Sequence, residues 1–144
     1  MPVEFVAKPE DRFAFGLWTV GNRGRDPFGD AVRPKIETVD MIKGLADLGV
    51  WGISFHDDDL MTYGAPESER RAELEAFKKA LDETGMVCSM ATTNLFFHPV
   101  FKDGAFTSND PQVRRCAIQK TLRNIDIAAE PGAHVLGRRR RGHL

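Results

Sequence analysis

The chain has 144 residues and a formal net charge of −1; 42% of its residues are hydrophobic and 28% are charged. These values are typical of one globular unit and do not favour a general nucleic-acid binder. The N-terminal residues mix charged and apolar side chains and lack the continuous apolar run of a secretory signal, so we expect a cytoplasmic protein without a membrane span. We expect Cys88 and Cys116 to stay reduced, without a disulfide.

The first predicted element is a buried strand over residues 13–20, because the run FAFGLWTV is apolar and rich in aromatic side chains. A loop with Gly and Arg follows, and apolar residues at helical spacing then predict a helix that ends at Gly49. Residues 50–55 are the second predicted buried strand. The spacing that defines the helix is carried by Ile36, Val39, Ile42, Leu45 and Ala46.

The same alternation continues in the middle of the chain. Residues 67–84 predict a second helix, with charges on one face and Gly85 at its C-terminal boundary. Its apolar face is formed by Leu74, Phe77 and Leu81. Residues 86–92 then predict a third strand. The chain thus repeats one strand–helix unit rather than forming separate domains.

A third helix follows a long loop. Asp110 and Pro111 are a typical N-cap and first-turn pair, so the helix begins there and runs to about Ala129. Pro131 then ends it, and residues 133–136 begin a fourth strand. We expect one apolar face on this helix, formed by Ile118, Leu122 and Ile125.

Strands that alternate with helices predict the α/β class, with a parallel sheet of (β/α) units joined by right-handed crossovers. The sequence contains neither a GxGxxG nor a Walker pattern, which disfavours the common nucleotide-binding sheets. A small doubly wound sheet and half of a TIM barrel both agree with the periodicity. The pattern alone leaves these two architectures open.

The segment WGISFHDDDL, residues 51–60, places His56 and three carboxylates at the end of the second predicted strand. An imidazole exchanges protons near neutral pH, and carboxylates orient it, cap a helix or attract a cation. Because the carboxyl ends of parallel strands meet on one face, Trp18, His56 and residues 92–96 should converge there. Catalysis and simple turn and N-cap chemistry both remain open at this point. For His98, which precedes Pro99 in a loop, we favour packing or bonding to the backbone.

Six motifs in order, FGLWTVG, RDPFGDA, FHDDDL, TTNLF, HPVFKDG and FTSND, resemble D-xylose isomerase from about Arg12 to Gly132. The resemblance implies that residues 1–136 are the N-terminal half of a TIM (β/α)8 barrel. It implies an aldose–ketose isomerase that converts D-xylose to D-xylulose, and D-glucose to D-fructose, by a metal-assisted hydride shift. Two divalent cations, Mg2+, Mn2+ or Co2+, serve as cofactors in that family.

The same resemblance assigns roles to individual residues. His56 matches the histidine that contacts the sugar ring oxygen and assists ring opening, and Asp59 matches the aspartate that holds that imidazole. Such a pair is chemically sensible, because a carboxylate on one ring nitrogen fixes the tautomer and leaves the other nitrogen for substrate. Trp18 and Phe96 match aromatic walls that pack on the sugar, and Thr92 lies beside the pocket wall.

Partners also follow from the resemblance. The substrate would be D-xylose or D-glucose, and the intact enzyme would be a homotetramer in which Phe28 reaches a neighbouring subunit. Simple lid packing is the alternative role for Phe28. The family's metal ligands and lysine lie in later strands that this chain does not include, and Asp57 and Asp58 are not among them. We therefore assign no metal site and expect the isolated chain to be catalytically incomplete.

The sequence departs from the family pattern mainly in residues 137–144, a basic tail that the family lacks and that indicates a change of reading frame. The alternative is a real tail whose arginines, Arg138 to Arg141, bind phosphate or nucleic acid. Asn22 and Phe97 also depart from the family and would alter the pocket lining. Other hypotheses are a TIM-barrel sugar epimerase, a metal-dependent endonuclease relative, and a noncatalytic fragment that acts through its arginine tail or its sheet edges.

Overall fold

Four parallel strands form the centre of the structure, a computed structural model that describes residues 6, 8, 10–133 and 135–137. Their order in the sheet, β1-β2-β3-β4, is their order in the chain. The α/β class and the parallel (β/α) arrangement are therefore confirmed. The strands are β1 (Ala14–Gly16), β2 (Gly52–His56), β3 (Val87–Thr92) and β4 (Val135–Gly137).

Five α-helices connect or follow the strands within the described part of the chain, with a 3-10 turn at Pro99–Phe101. They are α1 (Leu17–Val20), α2 (Thr38–Asp47), α3 (Asp57–Leu60), α4 (Glu67–Thr84) and α5 (Pro111–Ala129). The bounds of α4 match the prediction, and Gly85 ends this helix with φ 68°, a left-handed conformation that glycine adopts without strain. The predicted cap of α5 is also confirmed, because Asp110 accepts a hydrogen bond from the Gln112 N–H at 2.7 Å. Over the described residues, none of these helices combines the length and the apolarity needed to cross a membrane.

The core is centred on β2, which is buried along its whole length between β1 and β3. Ile53 and Phe55 are fully buried on the face that the helices cover. Phe55 packs edge-to-face on Phe77 of α4, with ring centroids 5.3 Å apart. The central parallel strand thus has the apolar character that burial on both faces requires.

The prediction for the first strand is wrong in length and in burial. The strand covers only Ala14–Gly16, and the residues after it turn into α1, where Leu17 alone is buried. Phe13 and Phe15 remain 55% and 46% exposed. The physical reason is position, because β1 is an edge strand that pairs only with β2 among the described residues.

The predicted apolar face of α5 is wrong as well. Ile118, Leu122 and Ile125 are all more than 40% exposed, so they form no part of the core of a single chain. The buried residues of this helix are Ala117, Lys120, Asn124, Ile127 and Ala128. The helix is rotated so that small and polar residues face the sheet, and the cause is an ion cluster described below.

The C-terminal predictions have different outcomes. The fourth strand is confirmed, although it begins at Val135 rather than at residue 133. It continues the parallel sheet beside β3, with Val135 opposite Met90. The tail, including Arg138 to Arg141, lies outside the described residues.

Replacement of Phe77 by alanine tests the core. Phe77→Ala removes a fully buried ring and leaves a cavity beside Phe55, so the free energy of unfolding should fall by about 3–5 kcal/mol. The matched control is Leu48→Ala, because Leu48 is 79% exposed and its loss should change stability by less than about 0.5 kcal/mol. Urea denaturation followed by circular dichroism measures both variants, and equal losses would contradict this view of the core.

Candidate functional site

Four of the predicted site residues lie together at the carboxyl ends of the first three strands: Trp18, His56, Thr92 and Phe96. His56 is the last residue of β2, Thr92 is the last residue of β3, and Trp18 lies in α1 directly after β1. The rings of Trp18 and His56 stack, with centroids 4.3 Å apart and planes inclined by 20°. Parallel strands place their ends on one rim, so this convergence follows from the sheet topology.

Phe96 and Phe97 complete an aromatic wall around the imidazole. Phe96 meets His56 edge-on, with ring centroids 5.4 Å apart and planes inclined by 84°. Phe97 adopts a similar angle at 6.5 Å, and the two phenyl rings contact each other at 4.6 Å. Edge contacts of this kind are favourable because the positive edge of one ring meets the negative face of another. His56 is therefore held between an indole face and two phenyl rings.

The hydroxyl of Thr92 lies between the imidazole and a strand carbonyl. It donates a hydrogen bond to the Phe55 carbonyl at 3.2 Å and contacts Nδ1 of His56. Because the hydroxyl has one proton, it donates either to the Phe55 carbonyl or to Nδ1 of His56, and in the first case its oxygen accepts from Nδ1–H. That first case corresponds to the tautomer that carries its proton on Nδ1 and its lone pair on Nε2. A neutral imidazole of this form accepts a proton through Nε2.

Asp59 lies close to His56 through the backbone. Its Oδ2 accepts a hydrogen bond from the His56 N–H at 2.7 Å, which stabilises the start of α3. Burial raises the pKa of Asp59 to about 7. The hydrogen bond from the His56 N–H lowers this pKa, and repulsion from the carboxyls of Asp58 and Asp57 raises it further. The direct bond from Asp59 to the imidazole ring stays a prediction.

Phe28 stands apart from this cluster. Its side chain is 82% exposed, and its N–H bonds to Oδ1 of Asp26 at 2.8 Å in a short turn. An exposed ring at a loop tip agrees with contact to another subunit and with lid packing alike. The structure thus separates Phe28 from Trp18, His56, Thr92 and Phe96.

Behind the aromatic wall lies a buried ion cluster that the sequence analysis missed. Nζ of Lys120, on α5, contacts Oδ2 of Asp57 and lies 2.7 Å from Oδ1 of Asp58. Lys120 is only 5% exposed, and Asp57 is 7% exposed. Burial raises the pKa of both aspartates, while the ammonium of Lys120 opposes that rise. The buried ammonium of Lys120 and the buried carboxyl of Asp57 must remain together, because each alone is costly to desolvate, and Asp58, with a side chain 25% exposed, adds a second carboxyl.

Asn94 connects this ion cluster to the aromatic wall. Its N–H donates to Oδ1 of Asp57 at 2.8 Å. Its side-chain oxygen accepts from the N–H groups of Phe96 and Phe97 at 3.1 and 3.0 Å. Asn94 is 1% exposed, so the bonds are shielded from water. Lys120 therefore acts on the position of the phenyl rings through Asp57 and Asn94.

One signal in the sequence could have found these residues. Lys120 and Asn124 are four positions apart and share a helical face with Ala117 and Ala128. Small residues beside Lys120 on one helical face let that face pack closely, so the lysine can reach the acidic residues that follow β2. Asn124 also reaches the end of β3, where its Nδ2 lies 2.8 Å from Oγ1 of Thr93. The prediction assigned the buried face of the helix to the apolar residues Ile118, Leu122 and Ile125, which lie on the other face.

The remaining polar predictions concern His98 and the two cysteines. Nδ1 of His98 accepts from the Val100 N–H at 3.2 Å, and its ring packs on Tyr63, so the predicted packing and backbone-bonding role is confirmed. Cys88 lies in β3 and Cys116 in α5, and both are free thiols. Burial raises the pKa of Cys88 to about 11, which makes it unreactive.

The acidic run does not fit a divalent cation. Asp57 and Asp58 are bonded to Lys120, and Asp59 is bonded to a backbone N–H. Within residues 6, 8, 10–133 and 135–137, no group of three or more His, Cys, Asp or Glu side chains is arranged to hold a metal ion. A comparison of the chain with models of known protein families gave no match.

Replacement of Lys120 tests the ion cluster. Lys120→Met leaves the buried carboxyl of Asp57 and the partly exposed carboxyl of Asp58 without their cation, so the free energy of unfolding should fall by about 3–5 kcal/mol. The double variant Lys120→Met/Asp57→Asn removes one of those charges and should recover part of the loss. Lys79→Met is the control, because Lys79 is 76% exposed and its pair with Glu83 contributes little. Equal stability of the three variants in urea denaturation would contradict a buried cluster.

The pKa of Asp59 predicts a dependence of stability on pH. The unfolded carboxyl titrates near 3.8 and the folded one near 7, so the folded chain retains a proton that the unfolded chain has released. The free energy of unfolding should therefore fall as pH rises from about 4 to 7. Asp59→Asn keeps an acceptor for the His56 N–H but cannot ionise. It should reduce this slope and be more stable than the native chain above pH 7, by on the order of 1–2 kcal/mol.

The matched control for this titration is Asp82→Asn, which changes an exposed carboxyl on α4. It should leave the pH dependence as in the native chain. Urea denaturation at a series of pH values measures all three proteins. An Asp59→Asn profile that overlays the native profile would show that Asp59 ionises as freely in the folded chain as in the unfolded one.

Proposed function

We propose that this chain carries the sugar-binding and ring-opening part of an aldose–ketose isomerase of the D-xylose isomerase type. The observation that carries the proposal is His56, stacked on Trp18 and faced by Phe96 at the carboxyl ends of parallel strands. Aromatic faces that flank a polar group suit a carbohydrate, which has apolar C–H faces and hydroxyl edges. D-xylose and D-glucose are the proposed substrates.

The proposed chemistry of His56 is general acid–base catalysis of ring opening. Opening a cyclic aldose removes a proton from the anomeric hydroxyl and adds one to the ring oxygen, so no proton is gained or lost overall. Nε2 of His56 accepts the first proton and donates the second. Acceptance by Thr92 of a bond from Nδ1–H would support this role, because it leaves the lone pair on Nε2. Asp59, with its pKa of about 7, is the nearby carboxyl that steadies the turn holding His56.

The hydride shift that follows ring opening is assigned to no described residue. In the family that the sequence resembles, two divalent cations assist this step. The aspartates of this chain are engaged by Lys120 and the backbone and do not fit such ions. We therefore expect little xylulose from the isolated chain with Mg2+, even where ring opening proceeds.

Mutarotation of D-xylose tests ring opening directly, because interconversion of the two anomers passes through the open chain and needs no metal. Dissolved α-D-xylose, followed by polarimetry, should equilibrate faster with the native chain than with buffer. His56→Gln should remove the acid–base group and lower the catalysed rate by about 10²–10⁴-fold. The matched control is His98→Gln, since His98 bonds to the backbone outside the cluster and its loss should leave the rate unchanged.

Two results would contradict the proposal. One is a mutarotation rate equal to that of buffer with sugar in excess, and the other is an equal loss in the His56 and His98 variants. Sugar binding has a second readout in the variant Trp51→Phe, which leaves Trp18 as the single indole of the chain. D-xylose should change the fluorescence of that indole if it binds beside Trp18.

A further inference from the structure

The imidazole of His56 is almost fully covered in this structure. His56 is only 6% exposed, although it is the last residue of β2. The indole of Trp18 covers one face of the imidazole, with ring centroids 4.3 Å apart and planes inclined by 20°. A stacked ring at this distance leaves no room for another molecule on that face. A substrate that approaches His56 from this side must therefore displace the indole.

The indole of Trp18 lies against Gly16, the last residue of β1. Gly16 is opposite Ser54 in the register of β1 and β2, and His56 is two residues beyond Ser54, so these three positions face the same side of the sheet. A Cβ atom at Gly16 would lie within 3.0 Å of three indole carbons, Cε2, Cζ2 and Cδ2 of Trp18. Real Cβ atoms essentially never come so close to another atom. The position of Trp18 therefore requires that Gly16 has no side chain.

The backbone turn that carries Trp18 is fixed by contacts that do not involve its indole. Oγ1 of Thr19 donates to the Gly16 carbonyl at 2.7 Å, and the Gly21 N–H donates to the Leu17 carbonyl at 2.8 Å. Leu17 is fully buried, so it anchors the short helix α1 in the core. The backbone of Gly16 has φ −76° and ψ 124°, values that alanine adopts without strain. A methyl group at Gly16 should therefore move the indole rather than the backbone.

We infer that Gly16 is a positioning residue that holds the indole of Trp18 over His56, and that this arrangement is the closed state of the site. In the open state the indole is turned away from the imidazole and a substrate can reach His56. A minor state of this kind is populated to about 0.1–10%. The apparent affinity for a molecule that contacts the covered face of His56 is lowered by the same fraction. The closed state depends only on the contacts among β1, β2 and α1, whereas the identity of the substrate rests on the proposed function.

Chemical modification of His56 tests the closed state without any sugar. Diethyl pyrocarbonate acylates accessible imidazoles, and peptide mass spectrometry measures the rate at His56 against the rate at His98 in the same sample. Gly16→Ala should raise the rate at His56 by at least about tenfold, because the open state then replaces the closed one. Gly44→Ala is the matched control and should keep the native rate, since no atom from elsewhere in the fold lies within 4 Å of a Cβ added to Gly44 on α2.

A double variant shows whether the effect of Gly16→Ala passes through the indole. Trp18→Ala removes the cover, so it should raise the modification rate of His56 at least as much as Gly16→Ala does. Adding Gly16→Ala to Trp18→Ala should change the rate no further, because the methyl group then meets no ring. A native rate in either single variant would overturn the inference. A further rise in the double variant, or a changed far-ultraviolet circular dichroism spectrum in Gly16→Ala, would also overturn it, because the strand and not the indole would then have moved.

Mutarotation of D-xylose gives the functional readout, which rests on the proposed function. If the sugar reaches His56 only in the open state, Gly16→Ala should lower the KM by the same factor of at least about tenfold and leave kcat unchanged. A native KM in a variant whose modification rate has risen would overturn the control of substrate entry by Trp18. A native chain without any catalysis of mutarotation would contradict the proposed function instead, and the modification rates would still decide whether Gly16 holds the indole over His56.

Discussion

The buried contact of Lys120 with Asp57 and Asp58 is the interaction on which the rest of the site depends. It joins α5 to the carboxyl end of β2 across more than 60 residues of sequence. The ammonium of Lys120 and the carboxyl of Asp57 are both buried and costly to separate, and Asp58 adds a partly exposed carboxyl, so the contact fixes how α5 is rotated about its axis. The rotation places Asn124 against β3 and leaves the stripe of Ile118, Leu122 and Ile125 on the outside.

The same contact reaches the imidazole in two ways. Asp57 begins α3, directly after His56, so the cluster fixes the backbone at the point where the strand ends. Asp57 also accepts from Asn94, whose side chain bonds the backbone of Phe96. A buried network of hydrogen bonds is rigid, and rigidity is what a group that transfers protons requires of its surroundings. The aromatic wall therefore takes its position from polar contacts rather than from apolar packing alone.

Much of the fold could be predicted because the signals were local. Gly49, Gly85 and Asp110 mark the ends or starts of helices through their own backbone and side-chain chemistry, and the helices follow them closely. The convergence of Trp18 and His56 was predictable too, because parallel strands leave few choices for where their ends lie. The role of Lys120 was not predictable from periodicity, since apolar spacing cannot show that a lysine is buried. The exposure of β1 was not predictable either, because an apolar run does not show whether its strand lies at the edge or in the centre of a sheet.

These two errors have a common physical cause. In both places the sequence has the apolar pattern of a buried surface, and in the single chain that surface faces solvent. Phe13 and Phe15 lie at one end of the sheet order, and the α5 stripe lies at the other. Among the described residues, the apolar pattern is matched by burial at the central strand β2 and is not matched at either end of the sheet.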